Sequence, residues 1–252
     1  MTSIRSALFA KRATVAACSV LFAALALLAA VPHAAGARPP TYQARYAVEY
    51  KGRGAGESAH IVTYDEAEGR YRFVSRTTAH GIARLLRPRP IVEQSDFVLR
   101  DGGPRPLEFS YEDGTRKGED DFRVEFDWEA RKAEVTTTNG MREIELAPGA
   151  LDRGTLQIAL MLDLANGGDV GPYGLVDDDG LQTYRYAIEG TETVAAPAGT
   201  YEAVKVSQRR EGSSRETIVW AAPALQYVPV KIEQRRDGET LTSLVLEAVE
   251  GL

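Results

Sequence analysis

The sequence contains little of the chemistry that disulfide scaffolds and thiolate metal sites require. Cys18 is the only cysteine among the 252 residues, and it lies in an apolar stretch near the N-terminus. Histidine is also scarce, with three in the whole chain. Beyond its N-terminal stretch, the chain must therefore be held together without disulfide bonds or cysteine-ligated metals.

Several motifs that mark common enzyme classes are also missing. The sequence has no Gly-x-Ser-x-Gly elbow, no Gly-x-x-x-x-Gly-Lys loop and no Gly-x-Gly-x-x-Gly turn. Their absence excludes the usual nucleophile elbow of α/β-hydrolases and the usual phosphate-binding loops. We therefore predict no cofactor and no catalytic residue.

His60 and His80 are the two histidines outside the N-terminal stretch, and the imidazole ring of either could act as a base or a metal ligand. Neither has partners at a spacing that completes a metal site or a triad. The acidic run 177–179 lacks the ligand spacing of a calcium loop, so we predict a solvated loop and no metal. An envelope hydrolase acting on glycans or esters stays an alternative, and it requires two facing carboxylates or a serine beside one of these histidines.

The first 37 residues have the order of a secretory signal peptide. Arg5, Lys11 and Arg12 form a positive start, an apolar run follows from Ala13 to Val31, and small residues precede a cleavage site at Ala37. The pattern predicts a cleaved signal peptide over residues 1–37 and export to the periplasm. An uncleaved anchor helix is the alternative, because the apolar run is close to the lower length limit for a membrane span.

The remaining residues, 38–252, are acidic. They contain 27 basic and 36 acidic side chains, a net charge of −9. Because phosphate binding needs a basic face, a nucleic-acid partner is disfavoured. This part of the chain has no second apolar run long enough to cross a bilayer, and its length is typical of one β-rich domain.

Alternation of apolar and polar residues with a period of two dominates residues 38–252 and predicts antiparallel strands with one buried face. The runs that share a face include Tyr42, Ala44, Tyr46, Val48 and Tyr50; Phe122, Val124, Phe126 and Trp128; and Tyr184, Tyr186 and Ile188. Asn139-Gly140 and Asp237-Gly238 tolerate the positive φ angles of two-residue hairpin turns. We predict a mostly β fold with about a dozen strands.

Residues 152–166 depart from this pattern and predict a helix, with Asp152 as the N-cap and Asn166-Gly167 as the stop. The helix is apolar on nearly every side, which is typical of a helix buried on several faces. We expect a curved antiparallel sheet, an open or partly closed barrel, around this helix. A β-sandwich with the helix at one end is the competing arrangement.

A second short segment, residues 81–90, mixes three arginines with Ile82, Leu85 and Leu86. The mixture suits a membrane surface or a lid. It also suits one helical turn whose leucines cover the end of the sheet, and we favour this second interpretation because single amphipathic turns are usually packed.

The C-terminal third carries the pattern that resembles a known family. It reads Ala-Gly-Thr-Tyr-Glu-Ala-Val-Lys-Val over 198–206, Trp-Ala-Ala-Pro over 220–223 and Tyr-Val-Pro-Val-Lys-Ile-Glu-Gln over 227–234. The sequence resembles the exported bacterial family called domain of unknown function 3108 (DUF3108). Its architecture is also similar to that of lipoprotein carriers of the Lol type, which fold a sheet over an inner helix. The family resemblance implies a periplasmic location and brings no agreed active site.

These observations favour a non-enzymatic periplasmic protein that binds an apolar or amphipathic ligand, such as a lipid, or a protein of the envelope. A structural or assembly factor is the second hypothesis. If a ligand binds inside the sheet, we predict contacts from the helix and the strands facing it. The predicted contact residues are Leu156, Leu160, Leu164, Tyr46, Trp128 and Tyr186. An open interior would favour ligand carriage and a filled interior would favour a scaffold.

Overall fold

The computed structural model describes residues 37–252, and the predicted signal peptide, residues 1–37, lies outside them except for Ala37. The described chain forms fourteen strands and two α-helices. The strands are β1 (Tyr42–Tyr50), β2 (Arg53–Asp65), β3 (Arg70–Ala79), β4 (Ile91–Arg100), β5 (Gly103–Glu112), β6 (Phe122–Asp127), β7 (Lys132–Thr137), β8 (Gly140–Glu145), β9 (Tyr173–Asp177), β10 (Gly180–Ala196), β11 (Gly199–Arg210), β12 (Arg215–Ala221), β13 (Pro229–Arg236) and β14 (Glu239–Glu250). The helices are α1 (Ala83–Leu86) and α2 (Arg153–Ala165).

All fourteen strands belong to one antiparallel sheet. Strands that follow one another in sequence pair, except β8 and β9, and β1 also pairs with β14, which joins the two halves of the chain. Strands β8 and β9 lie at the two ends of the strand order, so the sheet is not closed. The predicted mostly β fold with one curved sheet is confirmed, and the two-sheet sandwich is not what forms.

The alternation read from the sequence sets which face of each strand is buried. In β1, Tyr42, Ala44 and Tyr46 are buried, whereas Gln43 and Arg45 between them are exposed. This pattern follows from the opposite orientation of successive side chains in a strand. The buried face of the first half of the sheet therefore consists of aromatic and aliphatic side chains.

One predicted hairpin turn is confirmed and the other is displaced by one residue. Arg236 pairs with Glu239, so Asp237-Gly238 forms the two-residue turn, with φ angles of 52° and 84°. At the other site, Thr137 pairs with Gly140. Gly140 is therefore already a strand residue, and the turn falls on residues 138–139.

Helix α2 fills the interior of the curved sheet. Nine of its thirteen residues are buried. Ile158 and Met161 pack in a cluster with Phe97 of the first half of the sheet, whereas Leu160 packs with Val206 of the second half. The sheet therefore wraps around the helix, and the predicted buried helix over 152–166 is confirmed.

Asp152 begins α2 and ties it to the sheet. Its carboxylate accepts from the Thr155 backbone N–H at 2.8 Å, and the Thr155 hydroxyl accepts from the Asp152 N–H at 2.8 Å, which forms a capping box. The Ser95 hydroxyl of β4 donates to the same carboxylate at 2.7 Å. Burial raises the pKa of Asp152 to about 6, although these hydrogen bonds favour the ionised form.

The acidic run at 177–179 is only partly the solvated loop that we predicted, because Asp178 and Asp179 form the turn between β9 and β10 whereas Asp177 does not belong to it. Asp177 is the last residue of β9, and its side chain is 15% exposed because it accepts a bidentate pair of hydrogen bonds from Arg153. A carboxylate at this position balances the guanidinium that α2 carries into the sheet. Local acidity alone could not reveal this partner, which lies 24 residues away along the chain.

Candidate binding surface

The predicted interior ligand site is packed with protein side chains. Leu156 is 8% exposed, Leu160 4% and Leu164 7%. Leu156 belongs to one buried cluster and Leu160 and Leu164 to another, and Tyr186 packs against both clusters, so the structure brings these four predicted residues together. Their contact with a ligand stays a prediction.

The other two predicted contact residues lie elsewhere. Tyr46 packs on the opposite side of α2, and its hydroxyl donates to the Pro229 carbonyl at 3.0 Å. Trp128 belongs to a separate cluster with Phe126, and its indole N–H donates to the Pro106 carbonyl at 2.7 Å. The six residues therefore do not line one pocket, and neither of two cavities found among residues 37–252 is lined by α2.

The two histidines lie in different environments, one buried and one exposed. His60 is 5% exposed and lies between the rings of Tyr46 and Phe73, with centroids at 4.8 and 5.6 Å. Its Nδ1 has no hydrogen-bond partner within the described residues. His80 is exposed, and its Nε2 lies 3.9 Å from a carboxylate oxygen of Glu57. Burial lowers the pKa of His60 to about 4, so this ring is neutral and sealed in the core at neutral pH.

Burial of a neutral His60 makes the stability depend on pH. In the unfolded chain the His60 ring is protonated as the pH falls below about 6.5. In the folded chain the same ring is protonated only near pH 4. Stability is therefore lost as the pH falls through this window, by about 3 kcal/mol from this group. We expect the His60→Phe variant to lack this loss, so that its unfolding free energy rises relative to the unmodified protein as the pH falls from 7 to 4.

Urea titrations at several pH values measure this difference. Asp152 contributes in the opposite direction, because its raised pKa removes stability as the pH rises toward 6. That contribution is present in both proteins and cancels in their difference. His80→Phe, which changes an exposed ring, serves as the control for the loss of a histidine outside the core. A constant difference between His60→Phe and the unmodified protein across this range would contradict the assignment.

The outer part of β10 presents an unpaired edge. Strand β9 pairs with β10 only over residues 180–184, whereas β11 pairs with it over 184–196. No strand among residues 37–252 pairs with the other edge of β10 beyond Tyr184. Residues 187–193 are also exposed on both faces. We call residues 187–196 the β10 arm.

The β10 arm lies across the side of the sheet that faces away from α2. Val219 packs toward α2, so its neighbour Trp220 points the other way. Glu192 of the arm accepts from the Trp220 indole N–H at 2.8 Å and from the Lys205 ammonium at 2.8 Å. These two donors hold the pKa of Glu192 below its usual range. The arm is therefore fixed to the sheet by a carboxylate, and Val194 of the arm is buried in the same cluster as Trp220.

A bulge and a turn contact fix the direction of the arm. The pairing of β10 with β11 shifts register between Ile188 and Gly190, and Gly190 has a φ of 127°, which a residue with a side chain rarely adopts. Beyond the arm, the Ala198 N–H donates to the Leu246 carbonyl at 3.2 Å. The bulge therefore bends the arm over β13 and β14.

A cavity of about 510 Å³ lies beside the β10 arm. Its lining is Glu49, Gly52, Glu192, Thr193, Val194, Ala195, Trp220, Lys231, Glu233, Thr240, Leu241, Ser243 and Val245. We call this space the arm cleft. It is bounded on one side by the arm and on the other by β13, β14 and the end of β1.

The buried charges of the arm cleft are paired. Glu233 is 7% exposed and accepts from Lys231 at 2.6 Å and from Arg235 at 2.5 Å. Burial favours its neutral form, but the two cations outweigh burial and lower its pKa. The Lys231 ammonium also lies 4.7 Å from the centre of the Trp220 ring. The Glu233 carboxylate on the floor of the cleft is thus paired with two cations, whereas Glu49 at the rim is exposed.

An unpaired strand edge can bind an extended polypeptide. The backbone N–H and C=O groups along the edge accept another strand, and pockets beside it select side chains. Sequence reasoning missed this surface because it looked for apolar faces. The available signal was the loss of alternation after Ile188, where the run 189–193 has no apolar side chain.

Other classes of site are not found in the part of the chain that the structure describes. Over residues 37–252, no group of three or more His, Cys, Asp and Glu side chains is arranged to hold a metal ion. Within the same range, none of the helices has the length and apolar character needed to cross a bilayer.

Solved structures provide similarities in fold. The chain is similar to a β-barrel-like protein of domain of unknown function DUF1849 from Brucella abortus, at 11% identity and a TM-score of 0.49, over 85% of this chain and 98% of that one. An exported protein with a YmcC-like fold from Bacteroides fragilis matches at 13% identity and a TM-score of 0.37, over 85% of this chain and 98% of that one. MucB in complex with MucA(peri) matches at 11% identity and a TM-score of 0.36, over 85% of this chain and 51% of that one. Similarities this low carry no function to this chain.

Comparison at the level of sequence is more direct. No curated protein matches the chain. The profile of the family described as "Protein of unknown function (DUF3108)" matches residues 45–244, which include thirteen of the fourteen strands in whole or in large part. The match runs from within β1 to within β14 and includes α2. It confirms the resemblance seen in the C-terminal third, and the chain belongs to the DUF3108 family.

Proposed function

We propose that this protein is a non-enzymatic binding protein of the bacterial cell envelope, and that it binds an extended segment of a partner protein along the β10 arm. Its periplasmic location is part of the proposal and rests on the signal-peptide pattern of residues 1–37. The observation that carries the proposal is the free edge of β10, which is exposed on both faces over residues 187–193.

The filled interior favours binding at the surface. Side chains of α2 occupy the inside of the sheet, including the fully buried Ile158 and Met161. A lipid could enter this space only if α2 moved out and lost those contacts, which would be costly in a close-packed core. The edge of β10, in contrast, can accept a partner without any rearrangement of the core.

The charges beside the arm indicate the chemistry of the partner segment. Glu189 and Glu192 project from the arm and share one cation, Lys205. Glu49 at the rim of the arm cleft adds a further exposed carboxylate. We therefore expect the bound segment to be extended and to carry at least one basic side chain, because opposite charges at the rim steer association.

Site-specific photo-crosslinking in cells tests this proposal. A photoreactive amino acid at Thr191, in the arm, should capture a discrete partner. The same substitution at Thr136 is a matched control, because Thr136 is also an exposed threonine on a strand but β7 is paired on both edges. Mass spectrometry of the crosslinked product then identifies the partner segment, which is synthesised as a peptide.

Hydrogen exchange with that peptide decides the binding mode. We expect the peptide to slow exchange of amides in residues 187–193, because strand addition gives the free edge hydrogen-bond partners. A peptide in which the basic residue is replaced by glutamate should bind less tightly. Equal capture at Thr136 and Thr191, or protection only outside the arm, would refute binding at this edge.

A further inference from the structure

The structure leaves an apolar tip exposed between β3 and β4. Ile82 is 83% exposed, Leu85 77% and Leu86 75%, and these three are the most exposed large hydrophobic side chains of the described residues. The leucines do not cover the end of the sheet, so the interpretation that we favoured from the sequence is wrong. The reason is that the four-residue helix α1 has no buried residue of its own.

The base of this loop is fixed, so the exposed tip is held in place. At the start, the His80 N–H donates to the Ala55 carbonyl at 2.7 Å. At the end, the Arg89 N–H donates to the Gly114 carbonyl at 3.1 Å, and the Arg87 guanidinium donates to the Asp113 carbonyl. The Asp113 side chain is 1% exposed and lies 3.7 Å from Arg87. The loop is thus anchored to the neighbouring β5–β6 connection.

The charge of the loop is opposite to that of the rest of the described chain. Residues 81–90 contain Arg84, Arg87 and Arg89 and no acidic residue, whereas residues 38–252 together carry a net charge of −9. Arg84 and Arg89 are exposed beside the apolar tip. Apolar side chains surrounded by arginines fit the interface of a bilayer with anionic headgroups, where both kinds of group are satisfied.

We propose that residues 81–90 dock the protein on an anionic phospholipid bilayer, with Ile82, Leu85 and Leu86 entering the headgroup region and Arg84 and Arg89 contacting phosphates. A groove on another protein could bury the three apolar side chains as well. The bilayer is favoured because the arginines flank the tip without acidic residues in the loop, as an anionic surface requires. This proposal is independent of the partner site on the β10 arm.

Flotation with lipid vesicles tests the docking. The purified protein should bind vesicles of phosphatidylethanolamine and phosphatidylglycerol, and should bind phosphatidylcholine vesicles about tenfold less. The triple variant Ile82→Ser, Leu85→Ser, Leu86→Ser should lose binding about tenfold or more, as should Arg84→Glu with Arg89→Glu. Because all five side chains are exposed, these variants should unfold at the same temperature as the unmodified protein.

Matched substitutions on β8 provide the controls. Met141→Ser removes an apolar side chain that is 65% exposed, and Arg142→Glu reverses an exposed charge. Both should leave vesicle binding unchanged. The Leu85→Trp variant should shift its tryptophan emission to shorter wavelength on anionic vesicles, whereas the Met141→Trp variant should not.

Several outcomes would overturn the proposal. These are a failure of the unmodified protein to bind anionic vesicles, equal binding by the triple variant, or self-association in sedimentation that the triple variant abolishes while vesicles remain unbound. Crosslinking at Thr191 is read separately, so failure of membrane docking and failure of the β10 arm proposal are distinguishable.

Discussion

Replacing Arg153 with methionine is expected to destabilise the protein by about 3 kcal/mol, because the change leaves partly buried carboxylates without their cation. Arg153 is the first residue of α2 and donates to Asp177 of β9 at 2.7 Å and to Glu93 of β4 at 3.4 Å. Its guanidinium also lies 4.8 Å from the Tyr111 ring and 5.2 Å from the Phe122 ring. Urea denaturation measures the loss.

The position of Arg153 explains why the effect should be large. Strand β9 is one end of the open sheet, and β4 to β6 belong to the other half. One side chain therefore connects the two halves across the interior, and we also expect faster hydrogen exchange in β9 when it is removed. Burial disfavours ionisation of Glu93 and raises its pKa despite the nearby Arg153, so loss of the guanidinium leaves this carboxyl without a counter-charge.

Arg123→Met is the matched control, since it removes the same side-chain atoms from a surface pair. Arg123 lies 3.1 Å from Glu108, and both side chains are more than one third exposed. Exposed ion pairs contribute little, so we expect a change below about 1 kcal/mol. If Arg153→Met and Arg123→Met had equal effects, Arg153 would not connect the two halves of the sheet.

Ile158→Ala is expected to destabilise the protein by about 3 kcal/mol, because the deleted carbons leave a cavity in a close-packed core. Ile158 is fully buried and lies in the cluster that includes Tyr46, Phe73 and Phe97. The variant should also bind a small apolar molecule such as benzene in the new cavity, whereas the unmodified protein should not. Thermal unfolding with and without benzene measures both effects.

Leu85→Ala removes the same number of carbon atoms from a side chain that is 77% exposed. Its stability should stay within about 0.5 kcal/mol of the unmodified protein. A large cost at Leu85, or benzene binding by the unmodified protein, would mean that α2 does not fill the interior. In the second case the interior would be open to ligands, and binding at Leu156, Leu160 and Leu164 would be favoured again.

Local patterns predicted much of the fold correctly. Alternation in Tyr42–Tyr50 gave both the strand and its buried face, because side chains of a strand point to opposite sides whatever the strand packs against. Asp152 was predicted as the N-cap and forms a capping box, since the hydrogen bonds of a cap involve only neighbouring residues. The turn at Asp237-Gly238 follows from the φ angles that these two residues tolerate.

The binding surfaces could not be predicted from local patterns in the same way. Tyr46 and Trp128 both lie on alternating strands, yet one packs on α2 and the other packs in a separate cluster. The pattern of one strand does not tell which strands lie beside it or opposite it. The free edge of β10 likewise exists because β9 is much shorter than its partner, a mismatch between two elements.

The sequence by itself therefore determined the β-rich class, the buried helix and the absence of the common catalytic motifs, because each depends on residues that are close along the chain. The tertiary structure alone decided that α2 fills the interior, that the β10 arm is unpaired and that Leu85 and Leu86 face solvent. These features depend on contacts between distant residues, such as Tyr46 with Pro229, which are 183 positions apart. Burial of a side chain is set by what the rest of the chain places against it, and periodicity in one segment does not contain that information.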